Sequence, residues 1–431
     1  MPANGTSPDH DVRLARLREW LGTGLWFIPM VWAFGAIVAA LVLVAVDRRL
    51  GGDDPAWLVF ARGPANARTV LSVIAGSAMA FTGTVFSILI VALQLASTQF
   101  SPRVLRTFLR DRGSQHCLGV FVATSIYALV VLRDIGDEVP VPGIALTGAF
   151  TLVMLSIFAF VFLIHHVASS IRAVSIIDTV AAETRRAIRE NFPEPGEADE
   201  AAPGPLDLGE PDQVVTLDRG PGNLLGIDED DLTRIATEHD CTIVVLATIG
   251  DYLPSNIPVF AVHGARDLDP HELLRHVGTG PERTTYQDTG FGFRQLVDVA
   301  EKALSPGIND PTTAVQCLDR IHDLLRRIAV RPVPSGRFHD DTGALRLVVP
   351  LPTWEDYVHL AFDEIRHNGA SSIQIPRRMR AALLDLKTVA GPDRQAALDL
   401  HLAALDEAVD RAFDVAEERD RAHEADLQGL G

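Results

Sequence analysis

The sequence predicts a membrane protein of two halves: an all-α N-terminal half with four transmembrane helices, and a cytoplasmic, mostly helical α+β C-terminal half. Four long apolar segments lie within the first 170 residues, and about 20 mostly apolar residues suffice for a helix to cross roughly 30 Å of hydrocarbon. The charge also changes along the chain. Residues 1–191 hold 16 basic and 13 acidic residues, whereas residues 192–431 hold 22 basic and 43 acidic residues. An apolar, near-neutral half followed by a strongly acidic half argues against one soluble domain.

These changes divide the chain into five segments. A cytoplasmic N-terminal segment (residues 1–24) precedes a transmembrane domain that ends in a stalk helix (25–191). A proline-rich, acidic linker (192–212) leads to a small mixed α/β module (213–265), and a helical cytoplasmic domain (266–431) follows. The net charge of −18 argues against nucleic acid as a partner, because binding to phosphates needs a basic surface.

The four membrane segments are predicted at residues 25–46, 69–96, 115–132 and 144–164, and their flanks predict the orientation. Arginines precede the first segment and separate the second from the third, whereas Asp134, Asp137 and Glu138 lie between the third and the fourth. The loop between the first and the second segment is mixed, because it holds both basic and acidic residues: Arg48, Arg49, Arg62, Arg68, Asp47, Asp53 and Asp54. Basic residues mark the cytoplasmic side of a membrane protein. We therefore expect a multi-pass protein of the bacterial cytoplasmic (inner) membrane, with both termini in the cytoplasm and the lipid bilayer as a partner.

The second membrane segment differs from a simple anchor because it carries small and polar residues at helical spacing. At 100° per residue they share one narrow face of the helix: Thr69, Ser72, Gly76, Ala80, Gly83, Ser87, Gln94 and Thr98. We call this face the polar stripe. Small residues allow helices to pack closely in lipid, and hydroxyl and amide groups also line water-filled paths. The sequence leaves both interpretations open, helix packing and the lining of a pore.

A basic stretch follows the polar stripe after Pro102. Arg103, Arg106 and Arg110 share one face of a short predicted helix, and apolar side chains cover another face. This pattern is typical of a helix that lies in the membrane interface with its guanidinium groups near lipid phosphates. Anchoring by positive charge on the inner side explains the pattern, and a basic vestibule that favours anions is the functional alternative.

The C-terminal half begins as a mixture of strands and helices and then becomes helical. Residues 213–217 alternate like a strand, Asp228 caps a predicted helix that ends at His239, and residues 241–249 form a β-branched run. Apolar residues at helical spacing predict helices at 293–304, 315–328, 354–368, 375–389 and 393–423. The last helix is either a contact between subunits or a solvated terminal helix.

A helix hairpin is predicted between the first two of those helices, at the sequence SPGINDP. The motif residues are Ser305, Pro306, Gly307, Asn309, Asp310 and Pro311. Pro306 and Gly307 stop the first helix, and Asp310 followed by Pro311 is typical of an N-cap with proline at the first helical position. A tight turn therefore explains almost every residue of the motif.

These features also resemble a known family. The four membrane segments, the QLASTQFSPR sequence at residues 94–103 and the SPGINDP sequence at residues 305–311 are similar to a bacterial family of predicted integral membrane proteins of unknown function. The resemblance covers residues 20–390. It implies an integral membrane protein, and it implies no activity and no catalytic residues.

The sequence lacks the common motifs of enzymes. It contains no GxxxxGK[ST] phosphate loop, no HExxH metal motif and no GxSxG nucleophile elbow. Its three cysteines lie far apart and predict neither a disulfide framework nor a zinc site. Asp288, Asp298, Glu301 and Asp310 flank the hairpin and could converge on a cation, but helix caps and surface charge explain them. We expect no enzymatic activity, no cofactor and no metal.

Two classes of function follow. In the first, the protein is a homo-oligomeric ion channel or transporter-like protein whose second helices line the path of the ions, with the cytoplasmic half as regulator. In the second, the membrane helices only anchor a cytoplasmic sensor or scaffold that has no transport activity. The direction of the polar stripe distinguishes them, since it faces either an axis shared by subunits or the other helices of its own subunit.

Overall fold

The computed structural model of the chain describes residues 26–50, 63–99, 111–136, 141–170, 172–194 and 206–428. Contacts between residues divide the chain into two compact units, Met1–Ile176 and Ile177–Gly431. The division falls earlier than the predicted end of the transmembrane domain at residue 191, because most of the helix that follows the last membrane segment packs within the second unit.

The first unit contains four long apolar helices: α1 (Phe27–Leu50), α2 (Pro64–Gln99), α3 (Arg112–Arg133) and α4 (Gly143–Ser170). Each is long and apolar enough to cross a membrane. The four membrane segments predicted from the sequence are thus present as helices. Each helix extends a few residues beyond the predicted segment, because flanking polar residues continue the helix outside the apolar run.

Helix α3 lies at the centre of this unit and packs against α1, α2 and α4. Of the 18-residue apolar stretch of α3 that could cross the membrane, 67% is buried by the protein. The corresponding stretches of the other three helices are 17–22% buried. Phe121 and Tyr127 of α3 are among the largest fully buried side chains. The outer helices instead expose large apolar side chains such as Phe34 and Phe158, as expected of surfaces that contact lipid chains.

The next helix, α5 (Ala173–Asn191), is separate from α4. The chain bends at Arg172, and Ser175 Oγ donates a hydrogen bond to the Ser169 carbonyl oxygen (2.9 Å). This bond satisfies one of the carbonyl groups that a helix leaves open at its C-terminal end. The predicted stalk is therefore a helix of its own and not a continuation of the fourth membrane helix.

After α5, the second unit continues with a mixed α/β region. Its elements are β1 (Gln213–Thr216), β2 (Gly222–Ile227), α6 (Glu229–Glu238), β3 (Thr242–Val245), β4 (Tyr252–Leu253), β5 (Pro258–His263), α7 (Pro270–Arg275), β6 (Val277–Gly280) and, after two intervening helices, β7 (Arg337–His339) and β8 (Leu345–Val348). The described strands form a five-stranded sheet in the order β1-β5-β3-β8-β7 and a three-stranded sheet in the order β4-β2-β6.

The larger sheet takes in strands from outside the predicted module at residues 213–265. β8 pairs in parallel with β3, with Ile243 opposite Leu347, and β7 pairs antiparallel with β8. Ile243 and Leu347 are both fully buried in the core of this region. The five-stranded sheet therefore includes residues 337–348, which lie outside the predicted module. The strand β6 also lies in the part of the chain that was predicted to be helical.

The rest of the second unit is helical: α8 (Thr289–Leu304), α9 (Pro311–Ala329), α10 (Trp354–Gly369), α11 (Gln374–Val389), α12 (Gln395–Ala412) and α13 (Ala416–His423). α8 packs against α9 and α10, and α11 packs against α9 and α12. The predicted helix at 393–423 is two helices, since Phe413 adopts an extended conformation after α12. A mostly helical half with some sheet is as the sequence predicted.

Candidate functional site

One face of α2 packs against the other membrane helices, and the polar stripe lies on the opposite face. Leu71, Ile74, Ala78 and Val85 of the packed face are buried. The stripe residues whose side chains the structure describes are all exposed: Thr69, Ser72, Gly76, Ala80, Gly83, Ser87 and Gln94. The stripe therefore does not pack against the helices of its own chain within the described residues.

The two glycines of the polar stripe leave the most open surface. At Gly76 and at Gly83, no atom of the described residues lies within 4 Å of the position that a Cβ would take. Another helix could approach this face closely, because the backbone itself is accessible there.

The hydroxyl groups of the polar stripe are bonded to their own helix. Thr69 Oγ1 donates to the Ala65 carbonyl oxygen (2.9 Å), and Ser87 Oγ donates to the Gly83 carbonyl oxygen (3.0 Å). Ser72 Oγ makes the same bond to the Arg68 carbonyl oxygen (2.7 Å). Their protons are thus satisfied inside the membrane, while the oxygen lone pairs still face outward and can accept from water or solvate a cation.

The remaining predicted residues of this region lie outside what the structure describes. The side chain of Thr98 is not among the described side chains, and neither are Arg103, Arg106 and Arg110. The basic interfacial helix therefore stays a prediction.

Polar contacts that the sequence analysis missed join the four helices at one end of the bundle. Asp47 at the end of α1 is buried and accepts hydrogen bonds from the backbone N–H groups of Ile144 (3.0 Å) and Ala145 (2.9 Å) in the first turn of α4. Arg68 of α2 donates to the carbonyl oxygen of Ile135, just after α3 (2.9 and 3.2 Å). The negative charge of Asp47 stabilises the positive N-terminal end of α4.

The other end of the bundle has a second polar contact. Asp111 caps α3 by accepting from the backbone N–H groups of Gly113 and Ser114, and its Oδ2 lies 2.9 Å from His166 Nε2 on α4. Trp32 Nε1 of α1 donates to His116 Nδ1 (3.0 Å). These contacts fix the helices to one another at both ends, and they do not involve the polar stripe of α2.

The SPGINDP sequence connects α8 to α9 by a tight turn. The backbone N–H groups of Ile308 and Asn309 donate to the Ser305 carbonyl oxygen (3.0 and 2.9 Å), and Asn309 has a φ of 50°. Asparagine tolerates this left-handed conformation better than most residues. Asp310 then caps α9 by accepting from the backbone N–H of Thr313 (3.1 Å), with Pro311 at the first helical position. Pro306 and Gly307 are exposed.

The carboxylates around this hairpin do not converge on one point. Asp310 is a helix cap, whereas Asp298 and Glu301 both contact the Arg294 guanidinium, which also makes a bidentate contact with Glu364. Burial and the neighbouring Glu364 raise the pKa of Glu301 to about 7. Asp288 and Asp310 each cap a helix, and Arg294 binds Asp298 and Glu301.

Asp288 lies apart from those acids, in a cleft of about 340 Å³ in the second unit. Its Oδ2 accepts from Arg283 Nε (2.8 Å), and its Oδ1 accepts from the backbone N–H of Phe291 at the start of α8 (2.9 Å). Burial raises the pKa of Asp288, and Arg283 opposes this rise. The exposed carboxylates of Asp251 and Asp356 also line the cleft, and they accept from the backbone N–H groups of Thr248 and Thr353, respectively (both 2.8 Å).

Comparison with known proteins agrees with the membrane assignment. A family model described as "Predicted membrane protein (DUF2254)" matches residues 23–385. The chain is similar to Uncharacterized protein Rv1290c of Mycobacterium tuberculosis H37Rv and to Uncharacterized protein Mb1321c of Mycobacterium bovis. In each case it is 33% identical over 433 residues, covering 95% of this chain and 80% of the relative. No solved structure matches the chain.

Proposed function

The chain belongs to the DUF2254 family of predicted membrane proteins, and from this premise we propose that its copies associate through the polar stripe of α2 to form a path for ions. The observation that carries the proposal is the exposure of all seven described stripe residues on a helix long enough to cross the membrane. In the assembly the α2 helices surround the path, and the C-terminal half regulates it from the cytoplasm.

The length of the polar stripe favours a path over a local packing contact. From Thr69 to Gln94 it extends about 38 Å at 1.5 Å per residue, which exceeds the roughly 30 Å of bilayer hydrocarbon. A dimer contact through small residues needs only about two helical turns. Thr69 and Ser72 supply hydroxyl oxygens near one end of this length, and Ser87 and Gln94 supply polar groups near the other end. Gly76, Ala80 and Gly83 leave the helix surface open between them.

The orientation in this proposal follows from the arginines. Arginines precede α1 and lie between α2 and α3, whereas acidic residues lie between α3 and α4. Arg48, Arg49, Arg62 and Arg68 lie on the opposite side in this arrangement, where Asp47, Asp53 and Asp54 offset them. Retention of positive charge on the inner side favours both termini in the cytoplasm of a bacterial cell. The acidic C-terminal half is then a cytoplasmic regulator with no catalytic role.

The alternative is a membrane-anchored sensor or scaffold without transport. The compact second unit favours it, because this unit has its own sheet and its own apolar core around Ile243, Phe260 and Leu347. In this alternative the polar stripe only joins copies of the anchor.

Flux measurements on full-length protein in liposomes test the proposal, with potassium and chloride as the probe ions. We expect wild-type flux, and at least a tenfold loss in Gly83→Leu and Ser87→Leu, because leucine fills the path. Phe86→Leu is the matched control, since Phe86 is exposed on the same helix about 90° from the stripe. Its flux should equal that of wild type.

The outcomes separate the two functions. Absence of flux in wild type, or equal flux in Gly83→Leu, Ser87→Leu and wild type, would reject the ion path. If the same variants dissociate an oligomer that never conducts, as measured by light scattering in detergent, the anchor alternative is supported instead.

A further inference from the structure

Three metal-binding side chains meet between α10 and α12 in the second unit. His359 and Asp363 lie one turn apart on α10, and His401 reaches them from α12. His359 Nδ1 is 3.2 Å from Asp363 Oδ2 and 3.2 Å from His401 Nε2. This cluster does not belong to the polar stripe, the SPGINDP hairpin or the Asp288 cleft.

The protons of the cluster cannot satisfy all three groups. If His359 Nδ1 carries a proton, the carboxylate and the ring nitrogen of His401 compete for it. If His401 donates to His359 instead, the Nδ1 lone pair is used, and the Asp363 oxygen then faces His359 without a donor between them. A cation between the three atoms would be bound by each of them at once.

His401 is the buried member of the cluster. Its side chain is only 2% exposed, and its Nδ1 has no hydrogen-bond partner among the described residues; the nearest carboxylate oxygen, Asp363 Oδ1, is 3.7 Å away. A buried polar atom without a partner costs about 1–3 kcal/mol. With Nε2 as the metal ligand, Nδ1 is the ring nitrogen that carries the proton, and Asp363 Oδ1 is the carboxylate oxygen nearest to it.

Two of the three separations between the ligand atoms suit a tetrahedral ion, and the three residues each offer a ligand atom within 4.8 Å of the others. Ligand atoms about 2.05 Å from zinc are separated by about 3.3 Å when the geometry is tetrahedral, and the two measured separations are 3.2 Å. Arg366 Nη2 donates to Asp363 Oδ1 (2.9 Å). This bond leaves Oδ2 facing His359 and orients the carboxylate as partners of metal ligands usually do.

We propose that His359 Nδ1, Asp363 Oδ2 and His401 Nε2 bind a divalent first-row transition-metal ion such as Zn²⁺. The side chains of His359 and Asp363 are 45% and 42% exposed, so the fourth position faces solvent and takes water or a further ligand. The ion ties α10 to α12. The site goes beyond the proposed function and does not depend on it, because it lies in the second unit and needs no ion path.

Sequence analysis missed this site because the third ligand lies on another helix. The signal was a histidine followed by an aspartate four residues later on one helix, which is common without a metal.

Asp228, Asp231 and His276 form a second cluster of this kind. Asp228 there caps α6, and Asp231 pairs with Arg234, so ordinary roles account for those acids.

Zinc binding by the purified full-length protein in detergent tests the proposal. After chelation and desalting, Zn²⁺ is titrated in competition with a chromophoric chelator. We expect one ion per chain, and at least a 100-fold loss of affinity in His359→Ala, a larger effect than outer partners of a metal usually have. His359 is exposed, so its replacement should not unfold the protein. His367→Ala is the matched control, since it removes an exposed histidine from the same helix.

Co²⁺ provides a second readout. We expect the strong visible absorption of tetrahedral cobalt in wild type and His367→Ala, and its loss in His359→Ala and Asp363→Asn. The proposal is overturned if wild type binds no stoichiometric Zn²⁺, or if His359→Ala binds as tightly as His367→Ala. It is equally overturned if the loss of binding follows His276→Ala instead.

Discussion

Replacement of Gly292 by alanine tests how closely α8 approaches α5. A Cβ at residue 292 would lie 2.0 Å from Thr184 Oγ1, 2.7 Å from its Cγ2 and 2.8 Å from its Cβ. Carbon atoms in contact normally lie about 3.5–4.0 Å apart. Thr184 is fully buried, and its Oγ1 donates to the Val180 carbonyl oxygen (2.7 Å). The threonine therefore has little room to move away from an added methyl group.

The net effect follows from two opposing contributions. Overpacking of a core by a methyl group costs about 1–3 kcal/mol, and three contacts this short place Gly292→Ala near 3 kcal/mol. Alanine regains about 1 kcal/mol relative to glycine inside a helix. The free energy of unfolding should thus fall by about 2 kcal/mol. For a unit of this size, that lowers the unfolding midpoint by about 4–8 °C.

Thermal unfolding of the full-length protein in detergent, followed by circular dichroism, measures this shift. Gly290→Ala is the control two residues earlier on the same helix, where the nearest atom to an added Cβ is 3.5 Å away; its midpoint should equal or exceed that of wild type. Adding Thr184→Ala to Gly292→Ala should recover at least half of the loss. A midpoint for Gly292→Ala at or above the wild-type value would refute the close contact.

Three further predictions concern the second unit. Folding raises the pKa of Glu301 from 4.5 to about 7, so between these pH values the folded state holds a proton that the unfolded state has lost. The free energy of unfolding therefore falls as the pH rises from about 4.5 through 7. Glu301→Gln removes this titration and should flatten the decline of the unfolding midpoint between pH 5 and pH 8. Arg394 donates to the carbonyl oxygens of Ile328 (3.0 Å) and Ala329 (3.0 Å), the last two residues of α9, and to that of Arg331 (2.9 Å) beyond it. Arg394→Lys leaves at least one of these groups unsatisfied and should lower the free energy of unfolding by about 3 kcal/mol in denaturant titrations. Cys317 is fully buried, and burial raises the pKa of its thiol, so mass spectrometry should find it unmodified by maleimide at pH 8 until the protein is unfolded.

Each of these predictions has an outcome that contradicts it. An equal pH slope in Glu301→Gln and wild type would mean that the carboxyl group of Glu301 is not protonated in the folded state near neutral pH. Unchanged stability in Arg394→Lys would mean that the carbonyl groups at the end of α9 find other partners. Rapid labelling of Cys317 in the native protein would show that α9 opens locally at low cost.

The sequence determined the elements whose signal is local. Four uncharged apolar runs are long enough to cross a bilayer, and hydrocarbon accepts them only as helices; the observed helices α1 to α4 follow them within a few residues. Asp228 and Asp310 each cap the helix predicted to follow them, because a cap depends on residues two or three positions away. The polar stripe could also be assigned to one face of α2 from helical spacing alone.

The tertiary structure decided everything that depends on residues distant in the chain. The pairing of β3 with β8 joins residues about 100 positions apart, and neither strand carries a mark of its partner, because backbone hydrogen bonds are the same for every sequence. The direction of the polar stripe depends on which face of α2 the central helix α3 covers. The cluster of His359, Asp363 and His401 exists only because α10 and α12 pack together. His401 lies on a different helix from the other two residues, so no fixed spacing in the sequence marks the three as a group.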